Sequence, residues 1–284
     1  HLRRAWRARQ LESVEVKPGL AHAELLAVTV VRDERARLAP FLEHYRRAGV
    51  GHFLVVDNGS TDGTEDELSR HPDVSLWRAH GEYRLARYGI DWVNALLARH
   101  ARGRWVLHVD VDELLVADGE PDHLLLHLAR RLQRQGHRSL QAVMLDMYSE
   151  RAPEENHLHP GQHPLEVTAL LDAWGYQRHP DPLRRVTWIK GGVRGRLFFP
   201  DDPQAGPALN KTPLVHWRRH HAFLKSAHEL WPASLNGWPR GGASRAAPGG
   251  CSDAPLAGAA LLHFKFTSTS LARMRDPEHL RQHT

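Results

Sequence analysis

The sequence predicts an α/β domain with a single Rossmann-like, mostly parallel sheet flanked by helices. Two observations support this prediction. Short apolar runs rich in β-branched residues alternate with longer stretches in which apolar residues recur at helical spacing. Acidic residues and turn formers stand where those runs end, and the carboxyl ends of parallel strands are where α/β sheets carry their ligand sites.

The first predicted strand covers residues 25–31, which are apolar apart from one threonine. This composition is typical of a strand buried on both faces. A helix over residues 35–48 follows, because apolar side chains recur there at helical intervals: Leu38, Phe41, Leu42 and Tyr45. Gly49 ends that helix.

The second predicted strand covers residues 52–57 and runs into Asn-Gly-Ser-Thr-Asp-Gly, a dense set of turn formers. Asp62 and Glu65 have the spacing of a helix N-cap and its reciprocal partner, so a helix is predicted to begin there. A third strand over 74–77, a helix over 90–101 and a fourth strand over 104–109 follow. Strands separated by helices of this length predict parallel pairing with right-handed crossovers.

Beyond residue 120 the pattern is less regular. The predicted elements are a helix at 123–135, a strand at 140–147, loops at 150–182 and 236–255, and a late strand at 261–266. We therefore expect three parts. Residues 1–24 form a basic N-terminal extension, residues 25–120 carry the strand-end motifs, and residues 121–284 form an irregular second half of the same domain.

Composition limits the classes of function. The chain has 284 residues, 41% of them hydrophobic and 25% charged, which suffices for one large α/β domain. Its formal net charge of +5 favours an anionic partner, but the arginines are scattered rather than gathered on one basic helix, which disfavours nucleic acid. Cys251 is the single cysteine and so excludes an intrachain disulfide.

No apolar run approaches the roughly 20 residues that cross a bilayer. The Arg-rich first residues place Leu2, Trp6 and Leu11 at helix-like spacing. This spacing predicts a helix that packs on the domain or lies on a membrane surface. We expect a cytoplasmic protein and leave peripheral membrane contact open.

The triplet Asp110-Val111-Asp112 holds two carboxylates just beyond the fourth predicted strand. Carboxylate oxygens are ligands of Mg²⁺ and Mn²⁺, and such ions often bridge to substrate phosphates. The triplet alone is equally compatible with an ordinary strand-to-loop turn. Its position after a strongly apolar strand favours a metal site.

Three runs together resemble the nucleotide-sugar half of family 2-like glycosyltransferases with the GT-A fold. They are Thr29-Val30-Val31-Arg32-Asp33-Glu34, Val55-Val56-Asp57-Asn58-Gly59-Ser60-Thr61-Asp62-Gly63-Thr64 and Asp110-Val111-Asp112-Glu113-Leu114. The form is similar to the branch with family 92-like enzymes, in which the second strand ends in Asp-Asn-Gly-Ser and the metal motif continues into Glu. The resemblance covers residues 25–120. It implies metal-dependent transfer of a sugar from a nucleotide-diphosphate-sugar to a carbohydrate or other hydroxyl acceptor, with residues 121–284 on the acceptor side.

The resemblance also implies residue roles. Asp57 contacts the base or ribose of the nucleotide, and Asp112 is the main metal ligand, while Asp110 serves the ribose or the metal. Arg32, Asp33 and Glu34 form one wall of the nucleotide-sugar pocket. The chain departs from the commoner pattern at Asp33, where an Asn usually precedes the Glu.

Local structure offers alternatives for three of these acids. Asp57 could satisfy only the backbone N–H groups of its own turn, as aspartates often do. Glu34 could be a solvated carboxylate at a helix start, which is a favoured position for acids. Asp62 is explained by capping alone.

In the second half, His263 lies in a strand-like context and is a further candidate ligand for Mn²⁺ or Mg²⁺, or else a buried structural histidine. Arg196 and Lys211, with Arg194, could clamp a diphosphate or an anionic acceptor, because arginine forks match phosphate oxygens. Arg87, with Arg84, is a further nucleotide-sugar candidate. Surface charge explains these cations equally well.

An inverting transfer, which the resemblance favours, needs a carboxylate base near the acceptor hydroxyl. Asp146, at the end of a predicted strand, is the first candidate, and Glu229 is the second. Either residue could instead be a routine turn acid.

Two other functions remain open at this point. A nucleotidyltransferase also places a nucleotide and a metal at the end of a parallel sheet, but usually opens with a Gly-rich, basic signature. Here Arg32-Asp33-Glu34 stands in its place. The third hypothesis is a non-catalytic module that binds anions or nucleic acid through its arginines. Its affinity for such a ligand would fall steeply as the salt concentration rises.

Overall fold

The computed structural model describes residues 6–237 and 259–270. Most of the loop predicted at 236–255, Cys251 and Leu2 lie outside the described residues. The strands are β1 Leu11–Glu15, β2 Leu25–Val31, β3 His52–Asp57, β4 Val74–Ala79, β5 Trp105–His108, β6 Glu113–Ala117, β7 Ser139–Asp146, β8 Tyr176–Asp181, β9 Val186–Gly191, β10 Asn210–His216, β11 Ala222–Lys225, β12 Glu229–Trp231 and β13 Ala259–His263. The α-helices of four or more residues are α1 Arg35–Arg47, α2 Thr64–Ser69, α3 Ile90–His100, α4 Leu124–Arg134 and α5 Gly192–Phe198.

Within the described residues, nine strands form one sheet in the order β1-β4-β3-β2-β5-β10-β7-β13-β6. Strands β2 to β5 are mutually parallel, and β7 and β13 run in their direction because β10 lies antiparallel between β5 and β7. The remaining members, β1, β10 and β6, run the opposite way. The predicted fold class, an α/β domain with a mostly parallel sheet flanked by helices, is confirmed.

The sheet separates two hydrophobic cores. Helices α1 and α4 bury Phe41 and Leu125 in the core on one face, together with alternate residues of the central strands. Helix α3 buries Trp92 in the core on the other face, where Trp217 and Phe223 also pack. Burial on both faces explains why β2 and β3 are apolar along almost their whole length.

Two local predictions are wrong, and one strand was not predicted. Residues 113–117 form strand β6, because they pair antiparallel with the distant β13, a partner that local sequence does not reveal. The predicted loop at 150–182 contains β8, which pairs with β9 in a separate hairpin. The helix-like spacing does not extend to Leu11, because Leu11 begins β1, which pairs with β4 at the sheet edge; of residues 6–10, the described part of this stretch, 6–8 are helical.

The cap predicted at Asp62 also differs in detail. Helix α2 begins at Thr64, and Asp62 Oδ1 accepts a hydrogen bond from the Thr64 amide at 3.0 Å. The other oxygen of Asp62 accepts from the amide of Arg35 at 3.0 Å, so this carboxylate supports the start of α1 as well. Glu65 pairs with Arg78 instead of returning to the helix start.

Among the described residues, no helix has the length and apolarity that a membrane crossing requires.

Candidate active site

The sheet topology brings Asp57, the turn with Asp110 and Asp112, Asp146 and His263 to one edge. Strands β3, β7 and β13 run in the same direction and end at Asp57, Asp146 and His263. Strands β6 and β10 run the opposite way and start at this same edge. Glu113 is the first residue of β6, and Lys211 is the second residue of β10. Residues 110–112 join β5 to β6 there.

The turn that carries the two aspartates of the Asp-Val-Asp triplet is fixed on both sides. The amide of Glu113 donates to the carbonyl of Asp110 at 3.0 Å, which closes the turn. Tyr45, buried in α1, donates its hydroxyl to the carbonyl of Glu113 at 2.9 Å. The amide of Phe264 donates to the carbonyl of Asp112 at 2.8 Å, so the end of β13 holds the second aspartate in place.

His263 lies between two carboxylates. Its Nδ1 is 2.6 Å from Asp146 Oδ1, and its Nε2 is 3.5 Å from Asp112 Oδ2. Strand register causes the first contact, because His263 is paired directly with Asp146 across β13 and β7. Burial acts against the charged forms, but the attraction between the groups is larger, so the pKa of His263 is raised and that of Asp112 is lowered well below its usual range.

Asp146, predicted as a catalytic base, is enclosed. Its side chain is 1% exposed, and Oδ2 accepts a hydrogen bond from Arg194 Nε at 2.7 Å while Oδ1 faces His263. Burial works against ionisation, but His263 and Arg194 together lower the pKa of Asp146. Both oxygens are therefore occupied by protein donors, an arrangement suited to orienting His263.

Lys211 binds the other two acids of the turn. Its Nζ donates to Asp110 Oδ2 at 2.9 Å and also pairs with Glu113. Burial raises the pKa of Glu113 to about 7, whereas the two carboxylates outweigh burial and raise the pKa of Lys211. Asp110 keeps 49% of its side chain exposed, so the structure ties it to Lys211 at the mouth of the site.

Asp57 has one oxygen engaged and one not. Its Oδ1 accepts the amides of Gly59 at 2.8 Å and Ser60 at 2.9 Å, which is the turn-stabilising role considered from the sequence. Its Oδ2 is buried and has no hydrogen-bond partner among the described residues. A buried carboxylate oxygen without a partner is costly, so this atom points to a donor supplied by a ligand.

The loop after β2 is joined to the loop after β3. Asp33, at a φ of 55°, accepts the Thr61 amide on Oδ1 at 2.6 Å, and its own amide donates to Ser60. Asp and Asn both tolerate this left-handed conformation, which accounts for Asp33 where the commoner pattern has Asn. Glu34 pairs with the buried Arg37 at 2.8 Å, and Arg32 Nε lies 3.8 Å from Asp33 Oδ2.

Three other predicted residues have protein partners that do not belong to this cluster of acids. Arg87 donates through Nε and Nη2 to the single oxygen Oδ1 of Asp91, at 2.9 and 2.5 Å. Arg196 donates to both oxygens of Asp172, at 3.0 and 3.1 Å. Glu229, in β12, is 11% exposed at its side chain, and its Oε1 lies 3.8 Å from Arg184 Nε.

A cavity of about 640 Å³ opens beside the cluster. Its walls come from the turn after β5, from β7, from the segment 184–211 and from residues 225–228 and 263–265. They are lined by Asp110, Glu113, Met144, Arg184, Trp188, Lys190, Arg194, Pro207, Ala208, Lys211, Lys225, Ser226, His228, His263 and Lys265. Sequence reasoning found few of these residues, since they lie in segments without a strand-end motif.

Asp112 and His263 fit a Mn²⁺ or Mg²⁺ ion. Carboxylate and imidazole are both ligands of such ions, and two neighbouring ligands at about 2.1 Å from an octahedral ion lie ~3.0 Å apart, close to the 3.5 Å observed. The other ring nitrogen of His263, Nδ1, donates a hydrogen bond to Asp146, and metal-binding histidines usually have a carboxylate or carbonyl partner of this kind. The described residues include no group of three or more His, Cys, Asp or Glu arranged around a metal position, so substrate oxygens and water would complete the ligand set.

Comparison with known proteins gives distant structural similarity. No protein-family model and no curated protein matches the sequence. Mannosyltransferase PcManGT from Pyrobaculum calidifontis, solved with GDP-Man and Mn²⁺, is 20% identical over 54% of this chain and 42% of its own, with a TM-score of 0.29. This chain thus spans less than half the length of that enzyme.

Two nucleotidyl-transferring enzymes are similarly distant. A 4-diphosphocytidyl-2C-methyl-D-erythritol synthase is 13% identical over 68% of this chain and 74% of its own, with a TM-score of 0.33. A putative glucose-1-phosphate thymidylyltransferase from Bacillus anthracis is 10% identical over 69% and 72%, with a TM-score of 0.32. Likeness at this level assigns no activity, so function is inferred from the site itself.

Proposed function

We propose that this chain is a metal-dependent glycosyltransferase that moves a sugar from a nucleotide-diphosphate-sugar to a hydroxyl acceptor. The observation that carries the proposal is the Asp112–His263 pair, with the second ring nitrogen of His263 bound to Asp146 at 2.6 Å. The pair stands at the same sheet edge as Asp57. A site for a divalent ion next to a site for a nucleotide is what a diphosphate-linked donor needs.

Asp57 would anchor the nucleotide. Its buried Oδ2 needs a hydrogen-bond donor, and a base N–H or a ribose hydroxyl supplies one. The linked turns at Asp33 and Ser60 would form the wall beside it, with Arg32 and Glu34 on the same loop. The strand-end loops of residues 25–120 thus form the nucleotide half of the site.

Asp112 and His263 would hold Mn²⁺ or Mg²⁺, and Asp146 would orient the imidazole. Such an ion, when bound, neutralises the negative charge that develops on a departing diphosphate. Lys211 contributes a fixed positive charge beside Asp110 at the mouth of the site. Asp110 is exposed enough to contact the ribose or a water on the ion.

We propose an inverting transfer, in which a carboxylate takes the proton of the acceptor hydroxyl. Asp146 is the poorer base, because both of its oxygens already accept hydrogen bonds and its side chain is 1% exposed. Glu229 keeps the role predicted for it from the sequence. Anomeric configuration of the product, read by proton NMR, tests inversion.

A nucleotidyltransferase would use the same nucleotide and metal positions, and product analysis separates the two. A glycosyltransferase releases a nucleoside diphosphate and a glycoside, whereas a nucleotidyltransferase consumes a nucleoside triphosphate and a sugar phosphate and releases pyrophosphate. A non-catalytic anion or nucleic-acid binder would show salt-sensitive binding with no requirement for a divalent ion.

A thermal-shift screen of nucleotide-sugars with and without Mn²⁺ tests the proposal. We expect one donor to raise the melting temperature only when Mn²⁺ is present, because a ligand that binds the folded state stabilises it. That donor should then be hydrolysed to a nucleoside diphosphate. Stabilisation by a nucleoside triphosphate alone, followed by pyrophosphate release, would favour the nucleotidyltransferase.

A further inference from the structure

We propose that the cavity beside the metal site receives an acceptor that carries a phosphate or a carboxylate group. The inference rests on the proposed transferase function and adds the class of acceptor. Among the described residues, none from the Asp57 and Asp33 loops, where we place the nucleotide, lines the cavity. Asp110, Glu113 and His263 border the cavity, which therefore adjoins the reaction centre.

The cavity has an excess of positive charge. Of the residues that the structure describes, six Lys or Arg side chains line it against two carboxylates, those of Asp110 and Glu113. Both carboxylates are engaged by one of the six, Lys211, and Arg194 is engaged by Asp146. Of the two histidines that line it, His263 is engaged by Asp146 and Asp112, and His228 adds no charge, because burial lowers its pKa to about 4.

Three lysines supply most of the remaining charge. Within residues 6–237 and 259–270, neither Lys190, Lys225 nor Lys265 forms an ion pair with a carboxylate. Lys190 donates to the carbonyl of Gly206, which fixes it in the wall without neutralising it. Like charges gathered in a cleft repel one another and attract an anion, and charge-assisted hydrogen bonds to phosphate or carboxylate are strong.

An aromatic wall accompanies the lysines. Trp188, half-buried in β9, lines the cavity, and Lys225 Nζ lies 5.5 Å from the centroid of its ring. An indole face packs well against the apolar C–H face of a sugar ring, while nearby ammonium groups bind a charged substituent. The combination fits a sugar phosphate or a uronic acid better than a neutral sugar.

The donor diphosphate is the competing source of negative charge, and the test separates it from the acceptor. Glucose 6-phosphate, glucuronate and neutral glucose are titrated calorimetrically into the full chain, first alone and then with saturating nucleoside diphosphate and Mn²⁺. An acceptor site binds the two anions in both conditions and glucose at least about tenfold more weakly, as expected for lost charge-assisted bonds. Binding of the anions that disappears when the nucleotide is present places them in the diphosphate site and overturns the proposal.

A double variant locates the binding. Lys190→Gln/Lys225→Gln should weaken the binding of both anions by about 100-fold or more, because two charge-assisted bonds are lost. The matched control, Arg47→Gln/Arg130→Gln, removes the same charge from two exposed arginines outside the cavity and should change nothing. Unchanged anion binding in the lysine variant, or no binding of either anion to the wild type, contradicts the proposal.

Failure of the proposed function gives a different result. If no nucleotide-sugar binds with Mn²⁺ while the anions still bind through the lysines, the transferase assignment is wrong and the cavity is an anion site of another kind. If a nucleotide-sugar binds with Mn²⁺ and the anions do not bind, the transferase stands and the acceptor is not anionic.

Discussion

His263 Nδ1 lies 2.6 Å from Asp146 Oδ1, and this contact directs the other ring nitrogen toward Asp112. The two residues end neighbouring parallel strands and are separated by 117 positions in the chain. A buried carboxylate that holds the imidazole fixes its orientation without contacting the ion or the substrate. Asp146 is therefore a positioning residue in the proposed site.

Asp146→Asn should weaken Mn²⁺ binding by about 10- to 100-fold, the usual effect of losing a carboxylate behind a metal-binding histidine. Calorimetric or EPR titration with Mn²⁺ measures this. Asp122→Asn, which removes an exposed carboxylate paired with Arg47, is the control and should leave the affinity unchanged. If both variants bound Mn²⁺ as the wild type does, Asp146 would have no part in the metal site.

Asp57→Asn should weaken nucleotide binding by about tenfold or more while leaving folding nearly intact. The amide oxygen can still accept the Gly59 and Ser60 amides, but the buried second position becomes a donor and loses its charge. Titration with the nucleoside diphosphate measures the change. The exposed Asp66→Asn in α2 serves as control, and equal affinities for the two variants would remove Asp57 from the nucleotide site.

Lys211→Met should destabilise the metal-free protein by about 3–5 kcal/mol, because it leaves buried Glu113 without its cation. Adding Glu113→Gln should recover much of that loss, since the carboxylate that then still lacks its cation is Asp110, whose side chain is 49% exposed to solvent. Urea denaturation of the wild type, both single variants and the double variant gives the coupling energy. Strictly additive effects would show that the two side chains do not stabilise each other.

The surface pair Arg46–Asp73, whose two contacts measure 2.7 Å each, should make stability fall at acid pH. Partial burial opposes ionisation, but Arg46 outweighs it and lowers the pKa of Asp73 in the folded state. The pair therefore contributes fully above the unfolded pKa of about 3.9, and its contribution is lost as pH falls through the folded pKa.

Asp73→Asn consequently should cost about 0.5–1 kcal/mol near neutral pH, a modest value because the pair is partly exposed. The cost should vanish at strongly acid pH, where the wild-type carboxyl is protonated as well. Denaturation curves across the pH range test this. A cost that stays constant with pH would assign the effect to packing instead of charge.

Strands β2 and β3, which lead into the proposed nucleotide site, were predictable because their signals are local. Strands β2 and β3 occupy the residues predicted from their β-branched runs, and the strand-end rule placed Asp57 and Asp112 at one edge. Turn chemistry at 58–63 likewise depends on near neighbours. Such signals survive in any tertiary context that keeps the strand buried.

The rest of the site depends on contacts between distant segments. Lys211 reaches Glu113 across 98 positions, and its buried pair becomes visible only when β10 is placed antiparallel beside β5 and β7. Strand β6 escaped prediction for the same reason, since its partner β13 begins at residue 259. The cationic cavity is lined by residues from several separate segments, and no local sequence pattern predicts that these segments lie together.

Asp112→Asn tests the metal-dependent transferase most directly. Mn²⁺-dependent hydrolysis of the donor found by the thermal-shift screen should fall by about two orders of magnitude or more, because the ion loses its carboxylate and the departing diphosphate loses charge neutralisation. The exposed Asp118→Asn, six residues along the chain, should retain wild-type activity. Full Mn²⁺-dependent hydrolysis and transfer by the Asp112→Asn variant would contradict the assignment.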